Sequence, residues 1–543
     1  MVVGAGALAR PSEPRPELAW GAWGDPANAV DLPESILAPL RDGLGVTRPS
    51  PRPPALAEFP LPPAALRPEL VDRLAGLVGT EHADSGRAAR LRHLRGKSTP
   101  DLLRLRAADA AGTPDVVLCP ADHDEVAALL ELCSAERIAV VPFGGGTSVV
   151  GGLEPEAAGF AGVAALDLRR MDALRELDEV SRLAVVGPGL TGPQAEALLG
   201  ARGYTIGHFP QSYEYVTLGG AAATRSSGQS SAGYGRFDDL VMALRVATPT
   251  GMLELGRAPK SAAGPDLRQL MLGSEGTLGV ITELTVRVRP VPDQRVYEGW
   301  RLPSFSAGTQ ALRRLVQDGP VPTTLRLSDE AETAVDLARA GELGQAPAGG
   351  CLAIVGYEGT HEDVALRREG AAAALRDGGG ERAEADAGEA WLRGRFRGPY
   401  LRDALLDAGA LVETLETATF WSSLERLHGA TAAALQEALS AQGSPPVVLC
   451  HISHVYPAGA SLYYTVVCAA LEDPVVQWRR AKAATAEAIL AAGGTISHHH
   501  AVGRDHRPWY EREIGGLGVA ALRAVKAELD PAGILNPGIL LAR

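Results

Sequence analysis

Lysine is scarce in this chain. Of 52 basic residues only Lys97, Lys260, Lys482 and Lys526 are lysines, and the rest are arginines. Basic residues are also outnumbered by 65 Asp and Glu, which leaves a net charge of −13. A chain this acidic is a poor candidate for general nucleic-acid binding, so no nucleic-acid partner is expected. A small anionic substrate remains compatible, because a few arginines reverse the field at one site. Cysteine is sparse too. Cys119, Cys133, Cys351, Cys450 and Cys468 are widely spread without a Cys-x-x-Cys pair, which reads as buried thiols in a reducing compartment. No apolar run approaches the roughly 20 residues that span a bilayer. Met1 to Arg10 lacks a basic leader region, and Leu541-Ala542-Arg543 is not the peroxisomal Ser-Lys-Leu ending. The expected location is the cytoplasm, with peripheral membrane contact and assembly as a homodimer left open.

Glycine and proline, by contrast, are abundant: 63 and 39 of 543 residues. Turns on that scale argue against a helical bundle and for a mixed chain of helices and sheets. The length suggests roughly three or four domain-sized units, and 46% apolar residues suffice for a large core.

Residues 1–70 are Pro-rich, especially Arg48 to Pro68, and read as an irregular arm wrapping a larger body. Helical periods follow, for example Leu70, Leu74 and Leu77. From Pro114 the pattern changes. Val116-Val117-Leu118, a helix capped by Asp122 or Asp124, and Ile138 to Val141 make a β-α-β unit. Strands at Val163 to Leu168 and Leu183 to Val186 come next. A helix opened by Thr191-Gly192-Pro193 follows them, then a hairpin over Met242 to Leu255 and a strand over Val280 to Val288. We place a boundary near 292. Beyond it, helices are expected at Ala311 to Val316 and Leu424 to Leu439, and strands at Val447 to His451 and Leu462 to Val467. The two helices carry apolar patches that could touch lipid; the plainer reading makes them core.

Three glycine-rich segments carry the chemistry. Pro142 precedes Gly144-Gly145-Gly146-Thr147-Ser148, a loop whose backbone N–H groups and hydroxyls suit a pyrophosphate. It is neither a dinucleotide GxGxxG nor a P-loop, and alone it would be a tight turn. The second segment runs through Pro210, Gln211 and Ser212, then Thr217, Gly219, Gly220, Thr224, Arg225, Ser227 and Gly228. So many small residues let a flat ring approach the backbone, or two helices pack tightly. The third contains Glu275, Gly276, Gly279, Val280 and Ile281. Three such loops in one section suggest a cofactor with phosphates and a flat ring.

Together they resemble the flavin domain of the vanillyl-alcohol-oxidase/p-cresol-methylhydroxylase type, over about 113–292. The resemblance implies FAD held by all the residues just named: pyrophosphate on the first loop, isoalloxazine along the second, adenine-side and ring contacts at the third. Some members attach FAD through a histidine. His208 stands in Gly207-His208-Phe209-Pro210, a position that does not require a bond, so non-covalent FAD is expected.

Further on stand Ser497-His498-His499-His500-Ala501, Gly459-Ala460-Ser461-Leu462-Tyr463-Tyr464 and Pro399-Tyr400-Leu401-Arg402-Asp403, together with Leu325-Arg326-Leu327 and Thr414-Leu415-Glu416-Thr417. Read alone, the histidine run is an active site, a zinc or iron site helped by His451 and His454, or a run with no chemistry. We expect no metal, because adjacent histidines cannot easily all face one ion. One of Tyr463 and Tyr464 is expected to be core, and Arg402 beside Asp403 could be a surface ion pair.

In this order the motifs resemble the alkyldihydroxyacetonephosphate synthase family, over about 113–535. That family exchanges the acyl chain of an acyl-dihydroxyacetone phosphate for a fatty alcohol. The exchange is redox-neutral but needs FAD, whose N5 is thought to bond to the substrate carbon. The resemblance implies His498, His499 and His500 as base or polar orienters and Tyr463 as proton donor or acceptor. It further implies Arg402 as the holder of carboxylate or phosphate, and Arg326 as structural support or a phosphate ligand. The chain departs from the family at Leu94-Arg95-Gly96-Lys97-Ser98, where animal members carry a His-rich segment. It departs again at Asp530-Pro531-Ala532-Gly533-Ile534-Leu535-Asn536-Pro537-Gly538, which looks more like D-lactate and glycolate oxidising flavoproteins.

The expected fold is α+β. Residues 1–112 form an arm and helical segment, 113–292 an FAD-binding domain, 293–497 an α+β cap over the ring, and 498–543 a helical tail closing the site. One alternative is an FAD-dependent dehydrogenase or oxidase of a D-2-hydroxyacid. The other is a flavin-binding scaffold without activity.

Overall fold

In the computed structural model, which describes residues 8–339, 350–384 and 386–543, three sheets position everything else. The expectation about a leader rests partly on residues 1–7, outside the described residues. In the first sheet Val116–Leu118, Val163–Asp167 and Ala139–Phe143 lie parallel in that order. Their side chains are almost entirely buried, as continuous apolar runs in a parallel sheet must be. Helix His123–Ala135 makes the crossover, and Asp122 caps it by accepting from the N–H of Asp124 and of Glu125. The open edge at Ala139–Phe143 is covered by the chain's end. Val140 N–H donates to Ile534 O at 2.8 Å, and Asn536 N–H donates to Val140 O at 2.8 Å.

The second sheet is antiparallel, in the order Leu174–Asp178, Leu183–Val186, Val280–Arg287, Val241–Thr248, Gly251–Leu255. So the strands at 163 and 183 belong to different sheets, and a strand the sequence does not announce, Leu174–Asp178, lies between them in the chain. The third sheet has seven antiparallel strands among the described residues. Five of them run in the order Cys351–Gly359, Thr324–Ser328, Val447–Tyr456, Gly459–Ala469 and, at the edge, Ala410–Phe420. Strand alternation divides its side chains cleanly. Leu325, Leu327, Cys450, Ile452, Leu462, Tyr464 and Val466 enter a core beneath helices Phe305–Asp318 and Leu424–Ser440. Arg326, Ser328, Leu449, His451, Ser453, Tyr463, Thr465 and Val467 face the opposite way, into a cavity. Tyr464 is therefore the core tyrosine of the pair.

The apolar faces of both helices considered for lipid contact are core: Ala311, Leu312, Leu315, Leu427, Leu435 and Leu439 are all buried in it. Among the described residues no helix is long and apolar enough to cross a membrane. The N-terminal arm does wrap the body, but it is not wholly irregular. Glu34–Leu44 is helical and ends at Gly45 in the left-handed region, φ 70°. Pro33 and Pro39 obscure it in the sequence. Its Leu40, with Val46 beyond the helix, packs on Leu405, Ala410 and Val412.

Candidate active site

One cavity of about 1400 Å³ runs between the three glycine-rich loops and the free face of the seven-stranded sheet. Small-molecule sites usually occupy about 300–1,000 Å³, so a dinucleotide and a second ligand fit together. Pro142, Gly144 to Ser148, Pro210, Gln211, Ser212, Thr217, Gly219, Gly220, Thr224, Ser227, Glu275, Gly276, Gly279, Val280 and Ile281 all line it. Two residues expected at the cofactor do not. Arg225 is turned away, its Nε and Nη2 donating to Leu272 O and Gln269 O at 2.9 and 2.8 Å, where it braces the turn at 273. Gly228 packs under the Phe209 backbone and the His208 ring. His208 itself does not line the cavity; its Nε2 lies 3.2 Å from Ser226 Oγ.

The loops form a floor built from backbone. Among the described residues, the N–H groups of Gly145, Gly146, Thr147 and Ser148 meet no protein acceptor. Such a run of unused donors fits a pyrophosphate. A Cβ on Gly145 would stand 2.0 Å from Tyr215 O, and one on Gly144 2.3 Å from Thr217 Oγ1. Only glycine lets these two loops touch. Glu275 lines the cavity, and its carboxylate accepts from the N–H of Val502 and of Gly503 at 3.1 and 2.9 Å. Burial pushes it up to about 7. Asn536, whose surrounding motif pointed to another branch of flavoproteins, clamps the floor instead: its Nδ2 donates to Gly152 O and Glu275 O at 3.0 and 2.8 Å.

Side chains build the roof. The histidine run is held by one buried carboxylate from the Ala410–Phe420 strand. Glu416 accepts from the N–H of His498, His499 and His500 at 2.7, 3.1 and 2.9 Å and from Ser497 Oγ at 2.7 Å. Burial opposes its ionisation, but His499, His500, His498 and the donated N–H groups outweigh it and hold the carboxyl well below its usual range. Burial drives His500 down to about 3, against the pull of Glu416. His498 and His499 are lowered for the same first reason, so all three are neutral near pH 7. His499 and His500 line the cavity; His498 does not, and its Nε2 lies 2.6 Å from Tyr456 Oη. Tyr463 stands between them and the sheet, its ring centroid 6.0 Å from His499 and 5.5 Å from His500. Burial raises its hydroxyl to about 12, which keeps it a proton donor.

Arg402 does pair with Asp403, but not on the surface: their side chains are 12% and 13% exposed, and Arg402 lines the cavity. Its Nη1 donates to Lys97 O at 2.6 Å, and its Nε and Nη2 to Asp403 Oδ1 at 2.9 and 2.8 Å. The departing segment Leu94 to Ser98 is thus what seats this arginine. Arg326 lines the cavity while its Nη2 donates to Glu332 at 2.6 Å.

The sequence assigns no role to Glu332 or Glu416, and offers His451 and His454 only as helpers of a metal site. Only strand alternation points His451 inward. The ligand nitrogens of His454, His498 and His499 lie within 4.8 Å of one another. Ser227 and Ser231 lie at His454 Nδ1, Tyr456 at His498 Nε2, and His498 Nδ1 lies 3.0 Å from His499 Nδ1. Beyond the polar cluster the lining turns apolar, through Leu449, Val447, Val467, Val412, Leu405 and Leu401 to Ile36 and Leu40 of the arm helix.

The FAD binding domain family matches residues 114–256, and the C-terminal domain family of FAD linked oxidases matches residues 291–540. Alkyldihydroxyacetonephosphate synthase of Dictyostelium discoideum is 31% identical over 97% of this chain and 93% of its own length. The Trypanosoma brucei brucei synthase is also 31% identical, over 97% of this chain and 92% of its own length. Among solved structures, an alkyldihydroxyacetonephosphate synthase superposes with a TM-score of 0.82 at 29% identity, covering 96% of this chain and 98% of that one.

Proposed function

The chain belongs to the alkyldihydroxyacetonephosphate synthase family and is an FAD-binding enzyme of α+β fold; from that premise we propose that it replaces the acyl chain of an acyl-dihydroxyacetone phosphate with a fatty alcohol. One observation carries this reading beyond the kinship. A polar cluster of Arg402, Tyr463, His499 and His500 adjoins a long apolar lining within one cavity. A phosphate ester with a long chain needs both. The hydroxy-acid alternative is weaker, since a small acid leaves the apolar lining without an occupant.

FAD, when bound, supplies a redox-capable ring nitrogen at the reacting carbon. The backbone donors of 145–148 would hold its pyrophosphate and the segments around 210–220 and 275–281 would flank its ring, with no covalent bond to His208 required. Arg402, locked by Asp403 and Lys97 O, presents its planar fork to the leaving carboxylate or the phosphate. Neutral His499 and His500 are free to accept a proton at the substrate carbon, and the Tyr463 hydroxyl to return one. Residues 113–292 act as the flavin domain, 293–497 as the cap and 498–543 as the closing tail. The enzyme works in the cytoplasm and takes its long-chain substrates from a membrane surface, since such chains partition there.

The test is an anaerobic assay with no electron acceptor, supplying acyl-dihydroxyacetone phosphate and labelled hexadecanol. The expected product is the alkyl ether over many turnovers. Arg402→Ala is expected to abolish turnover with FAD still bound. Bleaching of the flavin by a D-2-hydroxyacid, with no ether formed, would replace this reading by its alternative.

A further inference from the structure

A second histidine faces the cavity outside the 498–500 run. His451 sits on an interior strand of the seven-stranded sheet, opposite Tyr463 on one neighbouring strand and Ser328 on the other. Its ring stacks on Tyr463 with centroids 5.0 Å apart. Its Nδ1 lies 2.9 Å from the Glu332 carboxylate, which Arg326 holds from the other side at 2.6 Å. Burial opposes ionisation of Glu332, but the hydrogen bond from His451 and the Arg326 guanidinium outweigh it and keep the carboxylate charged. A carboxylate only accepts, so Nδ1 carries the hydrogen and Nε2 carries the lone pair. Among the described residues Nε2 has no protein partner, and it is not one of the polar atoms sealed in the core. Burial, then Arg326, hold the imidazole below its ordinary value, against Glu332, so it is neutral and able to accept a proton.

Position gives this group its task. On the same strand, two residues to one side, Ser453 leads toward the histidine cluster; two residues to the other side, Leu449 begins the apolar lining. An alcohol whose alkyl chain fills that lining brings its hydroxyl to the boundary where His451 stands. Resting on the synthase reading above, we propose that His451, oriented by Glu332, is the catalytic base that takes the hydroxyl proton of the incoming fatty alcohol. The O–H bond breaks and its proton passes to Nε2. The oxygen's electron pair makes the new C–O bond at the carbon that carried the acyl group. The carboxylate has left beforehand with the electron pair of the old C–O bond, displaced by the nucleophile that bound FAD would supply; that nucleophile departs with its own bonding pair as the new C–O bond forms, and His451 returns its proton to solvent. No oxidant or reductant is consumed. Glu332 is a positioning residue.

The experiment compares hexadecan-1-ol with the more acidic 2,2-difluorohexadecan-1-ol on flavin-loaded wild type, His451→Gln and Glu332→Gln. Labelled acyl release without any alcohol is followed in parallel. A missing general base costs about 10²–10⁴-fold, so His451→Gln should lose that much ether formation with hexadecanol. Brønsted behaviour predicts that the deficit shrinks by about tenfold or more with the acidic alcohol, while acyl release suffers far less. Glu332→Gln should show the same pattern at smaller depth, and it carries the test if His451→Gln fails to hold flavin. Equal deficits with both alcohols, or unimpaired ether formation, would overturn the role of His451 alone. A wild type that neither releases the acyl chain nor forms ether would overturn the synthase reading, and this one with it.

Discussion

The floor and the roof of the cavity solve different problems with different material. The floor offers backbone N–H groups on glycine loops and has few charges of its own. The roof offers a tyrosine, an arginine and several histidines, steered by the carboxylates Glu416, Glu332 and Asp403. A fixed, flat cofactor needs shape and diffuse donors, which glycine loops supply. A reacting centre needs groups that move protons, and their neutral or charged state must be set by buried partners. Substitution should therefore break the floor through bulk and the roof through charge.

The largest effect is expected on the roof, at Glu416. Removing it leaves three N–H groups and a hydroxyl without their acceptor in a buried place, at a cost of about 1–3 kcal/mol for each group left unsatisfied. Glu416→Ala should lower the melting temperature by many degrees and abolish turnover; a variant that unfolds like wild type would mean the run at 498–500 holds itself. The pH dependence has a definite sign. His500 is about 3 when folded and about 6.5 when unfolded, so the unfolded chain binds more protons between these values. The stability from keeping it neutral is complete above about 6.5 and is lost progressively as pH falls toward 3. Glu416, depressed by its partners, loses its contribution as pH falls below the ordinary carboxylate range of about 4.3, in the same direction. Melting curves from pH 7 to pH 4 should show this decline, and His500→Gln should flatten part of it.

A middle-sized effect belongs to the floor. In Gly145→Ala the new Cβ would meet Tyr215 O at 2.0 Å, and that carbonyl belongs to main chain that cannot swing aside. Overpacking of this kind costs about 1–3 kcal/mol. Taken from cofactor binding, it weakens flavin affinity by about 5- to 150-fold. Purified Gly145→Ala should show a reduced flavin absorbance that added FAD restores. Full flavin occupancy at low FAD would show that the floor yields more easily than its geometry implies.

The same contrast explains what was legible in the sequence. Floor loops are local: Gly144 to Ser148 and Gly273 to Ile281 each hold their chemistry in a few consecutive residues. The roof is assembled at long range. Nothing near Glu416 announces that it reaches His498 to His500, 82 to 84 residues away, and nothing near Glu332 announces His451. Strand alternation could have separated Tyr463 from Tyr464 and turned His451 inward, but not supplied either partner. Arg225 and Gly228 misled for the opposite reason. They sit inside a local motif, yet the helix Leu218–Thr224 ends at Arg225 in a left-handed turn, φ 51°, and these two residues point away while Ser226, Ser227 and Gln229 around them still line the cavity.

The smallest effect tests where the roof's polar part ends. Helix Gly398–Ala408 carries Arg402 and, one turn on, Leu405, and both line the cavity. One helix thus supplies the anion clamp and a wall of the apolar lining. Leu405→Phe fills part of that lining without touching the hydrogen bonds of Arg402. If the added ring excludes about two methylenes at roughly 0.8 kcal/mol each, the preference in kcat/KM for hexadecanol over octanol should fall by about tenfold. Turnover with octanol should change little. An unchanged preference would mean that the alkyl chain leaves by another wall. In that case His451 would no longer stand where its hydroxyl arrives, and the boundary between polar and apolar lining would have to be redrawn.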